Sequence, residues 1–298
     1  MNMATTQRPE SLQSSFLARG ADVALIRNGY LKFPIDAAYM KPRFEAIIAG
    51  MKRLTDTPDA EKIFPWRAHR TDCYGPGYEQ EVGTKFSHDD ELKWRFQHTA
   101  GAFVEDLKKR EAAPFRPMLE ALDDIHDEAF RVGRSIAACL DVSNRRRDGK
   151  KKYRGSLRSK LERGICITRV LRYVASGQGI VKVMKAKTHF DRDVLTPHWW
   201  GTHPGLEVLD ADGNWVKAEE TSYDSAILFP GEKFSACTDN VFDTFGTAHG
   251  IWCEDTPHED RYAIVSFLHP EPNPQEADWL KSNKPLIDAR ETAIRAMR

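Results

Sequence analysis

The sequence predicts an α+β protein with a mainly β core: helices in the N-terminal portion, a sandwich or barrel of short antiparallel strands, and a closing helix. Three observations carry this. From Pro114 to Leu140, apolar residues at Leu119, Leu122, Ile125, Ala129, Val132, Ile136 and Leu140 recur at three- and four-residue spacing, the pattern of a long amphipathic helix. After a basic stretch the texture changes to short β-rich runs at Ile165 to Val174, Ile180 to Thr188, Leu206 to Leu209, Trp215 to Ala218, Ser225 to Phe229 and Tyr262 to Leu268. Residues 275–297 then read as a terminal helix.

Taken in order, shorter helical patterns at Ala38 to Leu54 and Asp89 to Lys109 precede the long helix, punctuated by Pro34 and Gly75-Pro76-Gly77. The first half is therefore expected to be mainly helical. Asp210-Ala-Asp-Gly213 and Pro230-Gly231 read as turns between strands. No repeat or low-complexity linker divides the chain, so residues 1–298 are expected to form one domain. Within it, 1–150 would be the helical portion, 165–270 the β core and 275–297 the last helix.

Composition narrows the function classes. Lys+Arg and Asp+Glu both number 44, so no net charge steers the protein toward nucleic acid or an acidic membrane, and a small or neutral partner is expected. The five cysteines, Cys73, Cys139, Cys166, Cys237 and Cys253, are odd in number and form no CxxC pair, which argues against a disulfide framework or a zinc ribbon. No run approaches the length of a membrane span, and Met1 to Ser15 lacks the apolar region of a secretory signal. A cytoplasmic protein is expected.

The chemistry concentrates in the β half. In His189-Phe190-Asp191, at the end of a strand-like run, residues two apart share one strand face, so an imidazole and a carboxylate can meet one metal ion. A second imidazole would complete two nitrogens and one carboxylate, the set that leaves positions open on iron(II) for other ligands. His249 lies downstream to supply it, and Arg261 follows as a cation able to hold a distal carboxylate. The triplets His88-Asp89-Asp90 and His258-Glu259-Asp260 share the spacing but read as a capped helix start and a solvated loop.

Six segments in order extend this pattern: Thr188-His-Phe-Asp-Arg-Asp-Val-Leu-Thr196, Pro204-Gly-Leu-Glu-Val208, Gly213-Asn-Trp-Val-Lys217, Phe229-Pro-Gly-Glu232, Thr247-Ala-His-Gly250 and Arg261-Tyr-Ala-Ile-Val-Ser-Phe267. Together they resemble the isopenicillin N synthase-like branch of the 2-oxoglutarate and iron(II)-dependent dioxygenases, over about residues 165–270. Weaker echoes upstream, Asn28-Gly-Tyr30 and Gly77-Tyr78 followed by Lys93-Trp94, extend the resemblance.

The resemblance implies a double-stranded β-helix, of jelly-roll or cupin type, with N-terminal helices packed on it. It implies that His189, Asp191 and His249 hold Fe(II) and that Arg261 anchors the C5 carboxylate of 2-oxoglutarate. Tyr173 falls where the family often places a tyrosine bonded to that cosubstrate. O2 would be the oxidant, with succinate and CO2 as co-products. Retention of Asp191 disfavours halogenation, and hydroxylation, desaturation or cyclisation of an amino acid or natural-product intermediate stays open. Two positions depart from the pattern: Ala263 stands in place of the family's serine, and Gly250 in place of a common arginine. An Fe(II) oxidase without 2-oxoglutarate, and a non-catalytic metal- or ligand-binding β-barrel, are the alternatives.

Pro197-His-Trp-Trp-Gly-Thr-His203 follows the first two ligand candidates, so Trp199 and Trp200, with Phe190, are candidates for the substrate mouth, although paired tryptophans on a strand often serve packing. His198 and His203 are weaker alternative ligands. Arg145 to Arg163 holds ten Lys or Arg against Asp148 and Glu162 and reads as a solvated connector. Binding of nucleic acid, a phosphorylated carrier or an anionic substrate is its functional alternative, with a lid for an anionic substrate suiting the barrel mouth better than duplex binding.

Overall fold

The computed structural model describes residues 20–67, 75–79, 93–147, 149–175, 182–218, 221–242, 246–254, 259–271 and 273–296, and its layers follow from how apolar side chains alternate or recur. The helices are α1 (Ala21–Asn28), α2 (Ala37–Thr55), α3 (Ala60–Ile63), α4 (Arg116–Arg145), α5 (Leu157–Glu162), α6 (Lys233–Cys237) and α7 (Pro274–Ala296). The strands are β1 (Leu31–Pro34), β2 (Gly77–Glu79), β3 (Lys93–His98), β4 (Ile165–Tyr173), β5 (Lys182–His189), β6 (Leu195–Gly201), β7 (Leu206–Leu209), β8 (Trp215–Lys217), β9 (Ser225–Pro230), β10 (His249–Glu254) and β11 (Arg261–His269).

Two antiparallel sheets result, a seven-stranded one in the order β1-β9-β6-β11-β4-β3-β2 and a four-stranded one in the order β5-β10-β7-β8. Period-two alternation gives the large sheet two different faces. Phe96, Val170, Ile264 and Leu268 look outward and share a core with the helices. Tyr173, Ile227, Phe229 and Ala263 look inward and meet Ala186, Leu206, Val208 and Ile251 of the small sheet. The site lies between the sheets.

Helix α4 buries the predicted stripe against β4 and β11 and runs on past Leu140 to Arg145. It can lie this close because Gly133 has no Cβ, which would sit 2.2 Å from Leu268 Cδ1. Helix α2 packs alongside it, started by Asp36, whose carboxylate accepts from the Ala38 and Tyr39 amides.

The helix expected over Asp89 to Lys109 is corrected: its described part opens with strand β3, followed by a single 3-10 turn at Asp106–Lys108. The reason is a period of two, with Trp94, Phe96 and His98 on one side, Lys93, Arg95 and Gln97 on the other, and hydrogen-bonded neighbours β2 and β4 on both edges. The N-terminal portion thus lends three strands to the large sheet as well as helices.

The basic stretch is a folded connector. Buried Asp141 accepts from Tyr153 Oη and Ser156 Oγ, both at 2.6 Å, and from the Leu157 amide at 2.8 Å. Lys151 and Lys160 each donate at 2.8 Å to carbonyls of Asp239 and Cys237. These two cations are therefore engaged within the fold. Among the described residues, no helix is long and apolar enough to cross a membrane.

Candidate metal centre

Strand β5 ends at His189, Asp191 follows, and β10 begins at His249, which lies directly opposite His189 in the β5–β10 pair. Pairing thus delivers both imidazoles and the carboxylate to one point. His189 Nε2 lies 3.5 Å from Asp191 Oδ1, and His249 Nε2 lies 3.5 Å from Asp191 Oδ2. One ligand atom from each residue falls within 4.8 Å of the other two.

Both rings are oriented alike. His189 Nδ1 donates to the Lys187 carbonyl at 2.7 Å and His249 Nδ1 to the Thr247 carbonyl at 3.1 Å. With the proton on Nδ1, each Nε2 lone pair faces the Asp191 carboxylate, which is how protein backbones prepare imidazoles for a metal. The two-nitrogen, one-oxygen donor set fits Fe(II) with open positions. Among the described residues, no other group of three His, Cys, Asp or Glu is close enough to hold a metal ion.

Electrostatics reinforce the arrangement. Burial alone would raise the Asp191 carboxyl, but His249, His189 and the Thr196 hydroxyl hold it well below the usual carboxylate range. Burial drives His249 down to about 4, so it is neutral and able to ligate at pH 7. His189 is raised: its bond and attraction to Asp191 outweigh burial.

The sequence reading overlooked the support beneath Asp191. Thr196 Oγ donates to Asp191 Oδ2 at 2.8 Å and lies 3.0 Å from Asp193 Oδ1. Burial and the neighbouring Asp191 charge push the Asp193 carboxyl far up. Thr196 Oγ is within hydrogen-bond distance of both Asp193 oxygens, one of which also accepts from the Leu268 amide at 3.1 Å. The turn after β9 closes over this network because position 231 is glycine: a Cβ there would sit 2.2 Å from Asp193 Oδ1. The available signal was the repeat of a carboxylate two residues after Asp191.

Arg261 and Tyr173 are brought together on the same inner face. They are register partners across β11 and β4, and the guanidinium carbon lies 5.2 Å from the Tyr173 ring centre. Arg261 Nε donates to the His203 carbonyl at 3.1 Å. Ala263 follows inward, fully buried beside Tyr173.

The three aromatic substrate candidates go elsewhere. An irregularity in the β6–β11 register lets Trp199 and Trp200 both join the core shared with the helices. Trp199 Nε1 donates to Ser266 Oγ at 2.8 Å, and Trp200 stacks on Phe44 and Tyr223. Phe190, between two inward residues, points outward onto Ile287 and Ile294 of α7. His198 is buried near His249, whereas His203 pairs with Glu259 at 2.9 Å. His88 and His258 lie outside the described residues.

No protein-family model matches the chain, and no curated protein matches it by sequence. Solved structures do match by fold. A Caulobacter crescentus protein assigned to the 2OG-Fe(II) oxygenase family superposes with TM-score 0.60 at 19% identity, covering 91% of this chain and 88% of that one. The Arabidopsis thaliana dioxygenase for auxin oxidation 1, complexed with 2-oxoglutarate, gives TM-score 0.62 at 15% identity, with 88% and 91% covered. A full-length Neurospora crassa protein, complexed with alpha-KG and 5-formyluracil, gives 0.59 at 14% identity, with 90% and 84% covered. The chain therefore has the fold of 2-oxoglutarate and iron(II) oxygenases, and it carries a His-Asp-His cluster within it.

Proposed function

We propose that this protein is a non-haem Fe(II) and 2-oxoglutarate-dependent dioxygenase of the isopenicillin N synthase-like branch, built on a double-stranded β-helix. The observation that carries the reading is the convergence of His189, Asp191 and His249 with both Nδ1 atoms tied to backbone carbonyls. The substrate is a small molecule, an amino acid or natural-product intermediate, hydroxylated at an unactivated C–H bond. Iron, with O2 and 2-oxoglutarate, would supply the oxidising power, one oxygen atom passing to the product and one to succinate as CO2 leaves.

The chain's own residues have distinct parts. His189, Asp191 and His249 hold the metal, and Thr196, packed against Asp193, fixes the carboxylate's orientation. Arg261 pairs with the distal carboxylate of 2-oxoglutarate, beside Tyr173. The methyl of Ala263 replaces a hydroxyl worth about 1 kcal/mol in a neutral hydrogen bond, a loss the charged arginine can absorb.

Anaerobic titration of Fe(II) and 2-oxoglutarate into the metal-free protein tests this. A weak visible charge-transfer band is expected, absent in His189→Ala and diminished in Arg261→Ala. Iron binding without a band would favour an Fe(II) oxidase that does not use 2-oxoglutarate, the reading that Ala263 supports. Failure to bind iron would favour a non-catalytic barrel.

A further inference from the structure

The inner face of the large sheet continues beyond the triad, and its side chains change character across β11, β4 and β3. Alternation brings Val265 and Phe267 of β11, Ile167 and Arg169 of β4, and Arg95 and Gln97 of β3 to this face. Their registers are Val265↔Arg169, Phe267↔Ile167 and Gln97↔Arg169. Leu268 pairs with Leu195, so Phe267 is next to Thr196, the residue that holds Asp191. Strands lie about 4.8 Å apart, which puts Arg169 of β4 about 10 Å from β6. Arg261 pairs with Tyr173, four residues along from Arg169, so the two guanidinium-bearing positions are separated by about 13 Å of strand.

Ile167, Val265 and Phe267, with Ile165 at the edge, form a small apolar cluster separate from both larger cores. Over it lies Arg169, its guanidinium carbon 4.6 Å from the Phe267 ring centre. Arg169 Nε donates to Gln97 Oε1 at 2.7 Å, and fully buried Gln97 donates from Nε2 to the Gly75 carbonyl at 3.0 Å. The aromatic ring and the amide together hold the guanidinium in one orientation. Arg95 pairs with Glu79 at 2.8 Å and lies over Trp66. Among the described inward residues of β2, β3 and β4, three cations, Lys93, Arg95 and Arg169, face one carboxylate, Glu79. A positive field above an apolar floor, beside the metal centre, favours an anion with an apolar body.

We propose that this patch binds the substrate, a small carboxylic acid whose carboxylate pairs with Arg169 and whose apolar body lies on Ile167, Val265 and Phe267 with a C–H bond toward the triad. This rests on the oxygenase reading and names its substrate class. One oriented guanidinium fork matches the two oxygens of one carboxylate.

The test is calorimetric titration of benzoate, phenylacetate, 3-phenylpropionate and hexanoate, each beside its primary amide, into the full chain. Wild type, Arg169→Gln and Arg261→Gln are compared, with Arg169→Lys as the milder variant should Arg169→Gln not fold. At least one acid is expected to bind about tenfold or more tighter than its amide, the scale of one charge-assisted pair. That preference should vanish in Arg169→Gln, weaken in Arg169→Lys and survive in Arg261→Gln. Absence of binding by every acid, equal binding of acid and amide, or dependence on Arg261 instead would overturn the proposal. The Fe(II)–2-oxoglutarate band is recorded on the same proteins. A band without acid preference overturns only the substrate site, and acid preference without a band overturns the oxygenase reading.

Discussion

On strand β6, His198 and Trp199 are neighbours in the chain and end on opposite sides of the large sheet. Trp199 lies in a dry layer, edge-on to Phe33 with its indole N–H on Ser266, where side chains are chosen for volume. His198 and Thr196 face the inner layer that holds the triad, where Thr196 donates to Asp191. The comparison teaches that one strand can stabilise through one face and build a site through the other, so mutations on the two faces should separate cleanly in what they damage.

The largest expected effect is on the inner face. Asp191→Ala should abolish Fe(II) binding in calorimetric titration while lowering the unfolding midpoint less than any large outer-face truncation. Trp199→Ala should do the reverse, costing about 3–5 kcal/mol in denaturant unfolding and leaving iron affinity intact in the folded protein. Equal damage to both properties in either variant would break the comparison. Thr196→Val should lower metal affinity about 10- to 100-fold by releasing the carboxylate from its hydroxyl support. An unchanged affinity would show that Asp191 is held by its histidines alone.

The smallest effect belongs to the outer face at His98, whose Nε2 meets Asp123 Oδ1 of α4 at 2.7 Å. Burial opposes ionisation of Asp123, but the His98 bond and charge prevail and hold its carboxyl below the ordinary value. A depressed carboxyl contributes stability above its unfolded pKa of about 4 and loses it as pH falls through the folded value. Wild type should therefore exceed Asp123→Asn in stability at pH 7, and the gap should close below about pH 4 in urea titrations run across pH. A gap that persists in acid would assign it to hydrogen bonding rather than charge.

The site was more legible than the layers around it. His189, Asp191 and His249 were readable because a metal needs fixed residue types, and strand parity fixes which positions can meet. Arg261 was named as a cation downstream of the triad, and the structure sets it beside Tyr173 on the inner face. Strands β1 and β2 were not, because runs of four and three residues hold too little alternation to register. Strand β3 was misread as helix because its inward positions, Lys93, Arg95 and Gln97, are polar as a solvent-facing helix side would be. In fact Arg95 and Gln97 are buried. Trp199 and Trp200 were offered to the substrate because they adjoin the ligands in sequence, and the register irregularity that turns both to the helices carries no sequence mark.

Phe190 occupies the single position between two ligands, and what it touches is the last helix of the chain. Ile287 and Ile294 of α7 cover its ring, and Arg295 donates to the Thr188 carbonyl at 2.7 Å, one residue before His189. The back of the ligand-bearing segment is thus upholstered by residues about a hundred positions away. Anything that pries α7 loose, such as a bulky fusion or a protease cut near Ser282, should reach the candidate metal site as looseness in His189 and Asp191, without touching any atom on the inner side of the cluster.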